Sequence, residues 1–206
     1  YVKGTADKKA EIRNLTLSGK LDITENYRNS YAYSGGLVGG AEYVSFTNIT
    51  TNVTITAKKG SAPYPWSYVG GFAGTVKNAD FLRCVNNGTV TTDGDYVSGF
   101  AAKSETTTYT SCVNNGAITG RTKIGGFGGA VKSTKTVDSY NTGTIGLAAY
   151  NGGNQGIGGL FGEMGYGSTL TRCYNTGAVT GDCYVGGLVG SVGSGVTLRM
   201  ISDIKG

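Results

Sequence analysis

Histidine is absent from this chain, and with it the commonest general base and the commonest metal ligand. The 13 acidic residues are scattered, and their one close pair is Asp93-Gly94-Asp95. That pair reads as a turn, because the other oxygen ligands of a calcium loop are not evident around it. The four cysteines include no Cys-x-x-Cys spacing, so zinc is not expected either. These absences together predict no metal and no cofactor. Long apolar runs are missing too, and no helix is expected to span a membrane. No segment keeps a helical apolar period over three turns. The 18 basic residues leave a net charge of +5, in small clusters at Lys8-Lys9, Lys58-Lys59 and Arg121/Lys123. A nucleic-acid partner would want a basic stripe interleaved with aromatics, so none is expected.

What is present is a repeat. One half reads Cys84-Val85-Asn86-Asn87-Gly88, Cys112-Val113-Asn114-Asn115-Gly116, Ser139-Tyr140-Asn141-Thr142-Gly143 and Cys173-Tyr174-Asn175-Thr176-Gly177. The other half is an aliphatic-Gly-Gly box, seen at Val69-Gly70-Gly71-Phe72, Ile124-Gly125-Gly126-Phe127, Ile157-Gly158-Gly159-Leu160 and Val185-Gly186-Gly187-Leu188. From the second box residue to the next repeat start the steps Gly36 to Ile49, Gly71 to Cys84, Gly99 to Cys112 and Gly126 to Ser139 are all 13 residues. The remaining half of the repeat varies in length, so every insertion falls between the Asn-Gly unit and the box. Fixed-period self-similarity with insertions on one face is the mark of a stacked array.

Val, Ile, Thr, Tyr and Phe fill the variable columns, and these favour strands. Glycine, at 37 residues, falls at fixed columns where the backbone turns sharply or packs closely. The expectation is an all-β parallel β-helix, or β-solenoid, of about six stacked coils. At the usual strand spacing it would be about 25–30 Å tall. Right-handed crossovers are the expected hand. Residues 1–14 read as an amino-terminal cap or linker, 15–200 as the solenoid and 201–206 as the start of a following segment. The abrupt start at Tyr1-Val2-Lys3 fits a piece of a longer chain.

Three apolar columns emerge: Val69, Val97, Ile124, Ile157 and Val185; Leu37, Phe72, Phe100, Phe127, Leu160 and Leu188; and Leu21, Ile55, Val90, Ile118, Ile145 and Val179. Asn86, Asn114, Asn141 and Asn175 form a fourth, read as a corner ladder of paired amides rather than as catalytic groups. Cys84, Cys112 and Cys173 share a column with Leu15, Ile49, Ser139 and Met200, which favours free buried thiols over disulfides. A Cys84–Cys112 bond between rungs is the alternative, and Cys183 is a candidate surface thiol.

The unit from Cys173 to Gly181 followed by Val185-Gly186-Gly187-Leu188-Val189-Gly190 resembles the GLUG repeat family. The resemblance covers roughly Leu15 to Met200. It implies a β-solenoid module inside a large cell-surface or secreted bacterial protein, of the kind found in adhesins and beside some immunoglobulin-A-cleaving proteases. An extracellular or cell-surface location and flanking domains follow from that resemblance, and it brings no catalytic residues. The first two repeats depart from the pattern, with Asn52-Val53 lacking the glycine and Leu15-Thr16-Leu17 replacing the Cys/Asn start.

The remaining signal lies in the insertions. Residues 22–34 carry Tyr27, Arg28, Tyr31 and Tyr33, and residues 56–68 carry Tyr64, Trp66 and Tyr68. On adjacent coils at one edge these loops should meet, giving aromatic faces for apolar ring faces and wet hydroxyls beside them. The expected partner is a glycan or a host or extracellular protein, held by a non-catalytic adhesin module. A rigid spacer and a polysaccharide-acting β-helix enzyme are the alternatives. A tyrosine column just before the box, Tyr33, Tyr68, Tyr96 and Tyr184, reads as structural stacking.

Overall fold

The computed structural model describes residues 1–26, 31–60, 66–148 and 156–196. Among them the protein is all-β, with parallel strands in sheets of seven, fourteen and six. It is the parallel β-solenoid that the repeat predicts. A single coil shows the path. The chain crosses the six-stranded sheet at Tyr96–Ser98, turns over the box and enters the seven-stranded sheet at Ala101–Glu105. It then rounds an arc of the fourteen-stranded sheet through Thr108–Thr110, Val113–Asn114 and Ile118–Gly120, and re-enters the six-stranded sheet one rung on at Lys123–Gly125. The stretch expected as a cap or linker lies in register with the coil above it: Val2 pairs with Ala41, and Ala10 with Val44.

The apolar columns stack as the spacing predicts. Val69, Val97, Ile124, Ile157 and Val185 pair in turn, as do Leu21, Ile55, Val90, Ile118, Ile145 and Val179. Phe72, Phe100 and Phe127 stack with centroids 4.7 Å apart. A second aromatic column, not singled out from the repeat, runs beside it. Phe46, Phe81 and Tyr109 stack at 4.6 and 4.9 Å and meet the Phe column edge-on at 5.6–5.7 Å. Tyr109 is fully buried, and its hydroxyl shares a 2.7 Å hydrogen bond with Ser104. Burial pushes its ionisation well above the usual phenol range.

The core falls into two apolar clusters. Between them along the chain lie the asparagine unit and the glycine box, and these two meet across the interior. Asn86 Nδ2 donates to Asn114 Oδ1 at 2.7 Å, Asn114 to Asn141 at 2.6 Å and Asn141 to Asn175 at 2.7 Å. Each amide also donates to the carbonyl two residues on, at Gly88, Gly116, Gly143 and Gly177. A Cβ on Gly71, Gly99 or Gly126 would press into the side chain of Asn86, Asn114 or Asn141. These three box glycines are therefore required for close approach, and none has a positive φ.

The sharp turns are made elsewhere. Asn14, Asn48, Arg83, Ser111, Asp138 and Arg172 occupy one column, with φ between 50 and 55°. Tyr43, Asn78, Thr106 and Ser133 occupy a second at 49–54°. Non-glycine residues rarely adopt this conformation. Here the ladder holds them: Tyr43, Asn78, Thr106, Arg83 and Ser111 each donate their backbone N–H to the next coil at 3.0–3.1 Å. Backbone pairing thus continues through the corner, which offsets the strain.

All four cysteines are free, with Cys84 and Cys112 buried and Cys183 exposed. Burial dominates at Cys112 and raises its thiol well above the ordinary range.

Candidate aromatic binding face

Insertions one and two leave the arc and return to the six-stranded sheet on neighbouring coils. Their feet are joined, since Gly60 N–H donates to the Glu25 carbonyl at 2.8 Å and Ala32 N–H to the Trp66 carbonyl at 3.1 Å. Ala32–Gly35 then pairs with Ser67–Gly70, setting Tyr33 against Tyr68, and Tyr68 pairs with Tyr96. Side chains alternate along a strand, so Tyr31 and Tyr33 share a face with Trp66, Tyr68 and Tyr96.

These rings make one cluster. Tyr33 and Tyr68 stack at 5.1 Å, and Tyr68 and Tyr96 at 4.5 Å. Tyr31 lies 6.1 Å from Tyr33 and meets Tyr68 edge-on at 5.8 Å, while Trp66 tilts against Tyr96 at 5.8 Å. Tyr68 is only 5% exposed and anchors the group, while Trp66 at 53% and Tyr31 at 54% present open surface. The stacked tyrosines spend their faces on one another. The most open ring surface belongs to Trp66 and Tyr31, and Tyr33 adds a less exposed ring beside them. Burial pushes the Tyr68 hydroxyl far above the usual phenol range, with Tyr96 and Tyr33 adding to it. It stays a neutral hydrogen-bonding group.

Two cations border the rings. Lys103 Nζ lies 5.8 Å from the Tyr68 centroid, and Lys123 Nζ 5.2 Å from that of Tyr96. Burial alone would lower the Lys123 ammonium, but its ion pair with Glu163 and the Tyr96 ring outweigh this and raise it. Lys123 continues the tyrosine column by register, then Gly156, then Tyr184. Tyr184 is therefore three rungs removed from Tyr96, and the column of four tyrosines is a run of three with an outlier.

Of the residues expected here, Tyr31, Tyr33, Trp66 and Tyr68 come together, and Tyr27, Arg28 and Tyr64 lie outside the described residues. Sequence reasoning left out Tyr96, Lys103 and Lys123 as site residues. Tyr96 and Lys123 were findable, because each stands in the Tyr68 column. Lys103 comes from the next sheet, and no spacing rule reaches it.

The Asp-Gly turn lies beside the face. Asp93 accepts the Lys59 N–H at 2.7 Å, and buried Asp95 pairs with Arg121 and with Lys59 Nζ at 3.2 Å. Among the described residues no three His, Cys, Asp or Glu side chains are grouped to hold a metal ion. Comparison of the chain with protein-family models, curated proteins and solved structures returns no match.

Proposed function

We propose that the chain is a non-catalytic recognition module of a bacterial surface or secreted protein of the GLUG-repeat type, binding a glycan or a host extracellular protein. The observation that carries this reading is the exposed aromatic face on two adjacent coils, where Trp66 and Tyr31 are half exposed above a buried tyrosine. Flat apolar rings beside wet hydroxyls and a lysine suit the alternating apolar and hydroxylated surface of a sugar. A rigid spacer is the second reading, favoured by the three sheets of parallel strands that continue through the described coils. The test is binding of the chain to a broad glycan and extracellular-matrix panel, with Trp66→Ala and Tyr31→Ala alongside. A hit lost in both variants supports the module. A hit kept in both moves the site elsewhere, and silence from a folded protein favours the spacer.

A further inference from the structure

Behind the aromatic face lies a buried carboxylate. Glu25 closes the strand Ala10–Glu25 at the foot of the first insertion and is 2% exposed, and among the described residues neither of its carboxylate oxygens has a hydrogen-bond partner. Ser67 stands between Trp66 and Tyr68, so its side chain points to the opposite face of their strand. Its buried hydroxyl is unpartnered as well. It lies close enough to Glu25 to favour the charged form, although no bond of normal geometry joins them.

Three charged groups face Glu25 from the packed elements. Lys59 is its register partner at the end of Val44–Lys59, and Asp93 and Asp95 flank the turn of the following coil. Lys59 is already engaged, its ammonium with Asp95 and its N–H with Asp93. Arg121 is paired with Asp95. A negative charge on Glu25 would thus sit buried, unbonded and beside two further carboxylates, which is costly.

We propose that Glu25 is a buried proton switch beneath the aromatic face. Protonated, it lets the feet of the two insertions close over it. Ionised, it gives its proton to solvent, draws water in and loosens the segment carrying Trp66, Ser67 and Tyr68. The inference stands whether or not the face binds a ligand. Burial raises the Glu25 carboxyl above its ordinary value of 4.5, Ser67 and Lys59 oppose this, and Asp93 and Asp95 add to it. The folded chain therefore holds its proton more tightly than the unfolded chain. Stability is undiminished below the ordinary value, falls as pH rises towards the folded value and is fully reduced above it.

Trp66 is the only tryptophan and adjoins Ser67, so its emission reports on this segment. The experiment follows that emission and reversible unfolding of the protein from about pH 4 to about pH 8. The expected result is an emission titration with its midpoint above 4.5. In the same window the unfolding equilibrium constant should rise by up to about tenfold per pH unit, the limit for one proton. Glu25→Gln should abolish both changes. Two further variants keep the test sharp if that one does not fold. Ser67→Ala should move the midpoint up and Asp93→Asn should move it down. A flat wild-type profile, an unchanged titration in Glu25→Gln, or midpoints unmoved in both other variants would overturn the proposal. So would stabilisation of the native protein by Ca²⁺ or Mg²⁺ that Glu25→Gln loses, since the carboxylate would then be ionised around a cation.

Discussion

Val44–Lys59 runs as one strand of 16 residues, whereas the same arc one coil later is cut into Asp80–Leu82, Val85–Asn86 and Val90–Thr92. The two arcs are hydrogen-bonded neighbours in register, so their difference is local. Thr51 stands where the later coils carry Asn86, Asn114, Asn141 and Asn175, and Val53 stands where they carry glycine. An asparagine amide reaches the carbonyl two residues ahead and folds the chain into a corner, as Asn86 does to Gly88 at 3.0 Å. Threonine has no such amide. Thr51 instead donates its hydroxyl along the stack to Asn86 Oδ1 at 2.8 Å, and its strand runs on. The amino-terminal arcs are thus edge and loop carriers, and the later ones are a polar-spined core.

The largest effect is expected in the aromatic core, where that comparison is weakest because both regions feed it. Phe100 stacks between Phe72 and Phe127 and meets Phe81 and Tyr109 edge-on. Phe100→Ala should cost about 3–5 kcal/mol in urea denaturation. Leu188 is only partly buried at the carboxyl-terminal end, and Leu188→Ala should cost much less. Equal losses would mean that the ends are as tightly packed as the middle.

Next comes the glycine column. A Cβ on Gly99 meets the Asn114 side chain and lies 2.6 Å from the Gly126 carbonyl, while a Cβ on Gly187 meets nothing within 4 Å among the described residues. Gly99→Ala should therefore destabilise by about 1–3 kcal/mol as overpacking against a backbone that cannot give. Gly187→Ala should be neutral, or stabilising by up to about 1 kcal/mol through the unfolded chain. The same substitution in the same column would then have opposite signs in thermal unfolding.

The asparagine spine allows a finer cut. Asn114→Ala removes a fully buried amide with three partners and should cost about 1–3 kcal/mol. Asn115 bonds Asn87 at 2.8 Å on the exposed side, and its loss should stay within about 0.5 kcal/mol. Asn114→Thr, which imports the residue type of coil two, should fall between Asn114→Ala and the wild type. If Asn114→Thr were as damaging as alanine, the hydroxyl would not substitute along the stack as Thr51 does.

The columns of this fold were legible because each coil repeats them with little drift. The strict step from Gly36 to Ile49 and its equivalents gave the rung register that pairs Ile55, Val90 and Ile118. The positive-φ corners escaped, since Arg83, Ser111 and Asp138 share a backbone conformation and not a side-chain type. Ladder bonding imposes that conformation, and it leaves no compositional mark. The second aromatic column escaped for a similar reason, as Phe46, Phe81 and Tyr109 continue as Thr136 and Leu170. At the candidate site the clustering of Tyr31, Tyr33, Trp66 and Tyr68 followed from two insertions at one corner. Glu25 carries no mark in the sequence, because only the packed coils bury its carboxylate away from a hydrogen-bond partner among the described residues.

The smallest effect on stability separates the face from the stack. Trp66 touches the tyrosine run only through a tilted contact at 5.8 Å and keeps half its surface in water, so removing it leaves no cavity. Trp66→Ala should change unfolding free energy by no more than about 0.5 kcal/mol. Tyr68→Ala should cost more, because that ring is buried between two stacked neighbours. A tryptophan retained for packing would show the reverse, with a clear loss of stability on truncation. A half-exposed ring that costs nothing to remove contributes little to the fold, and its flat face is then available to a partner.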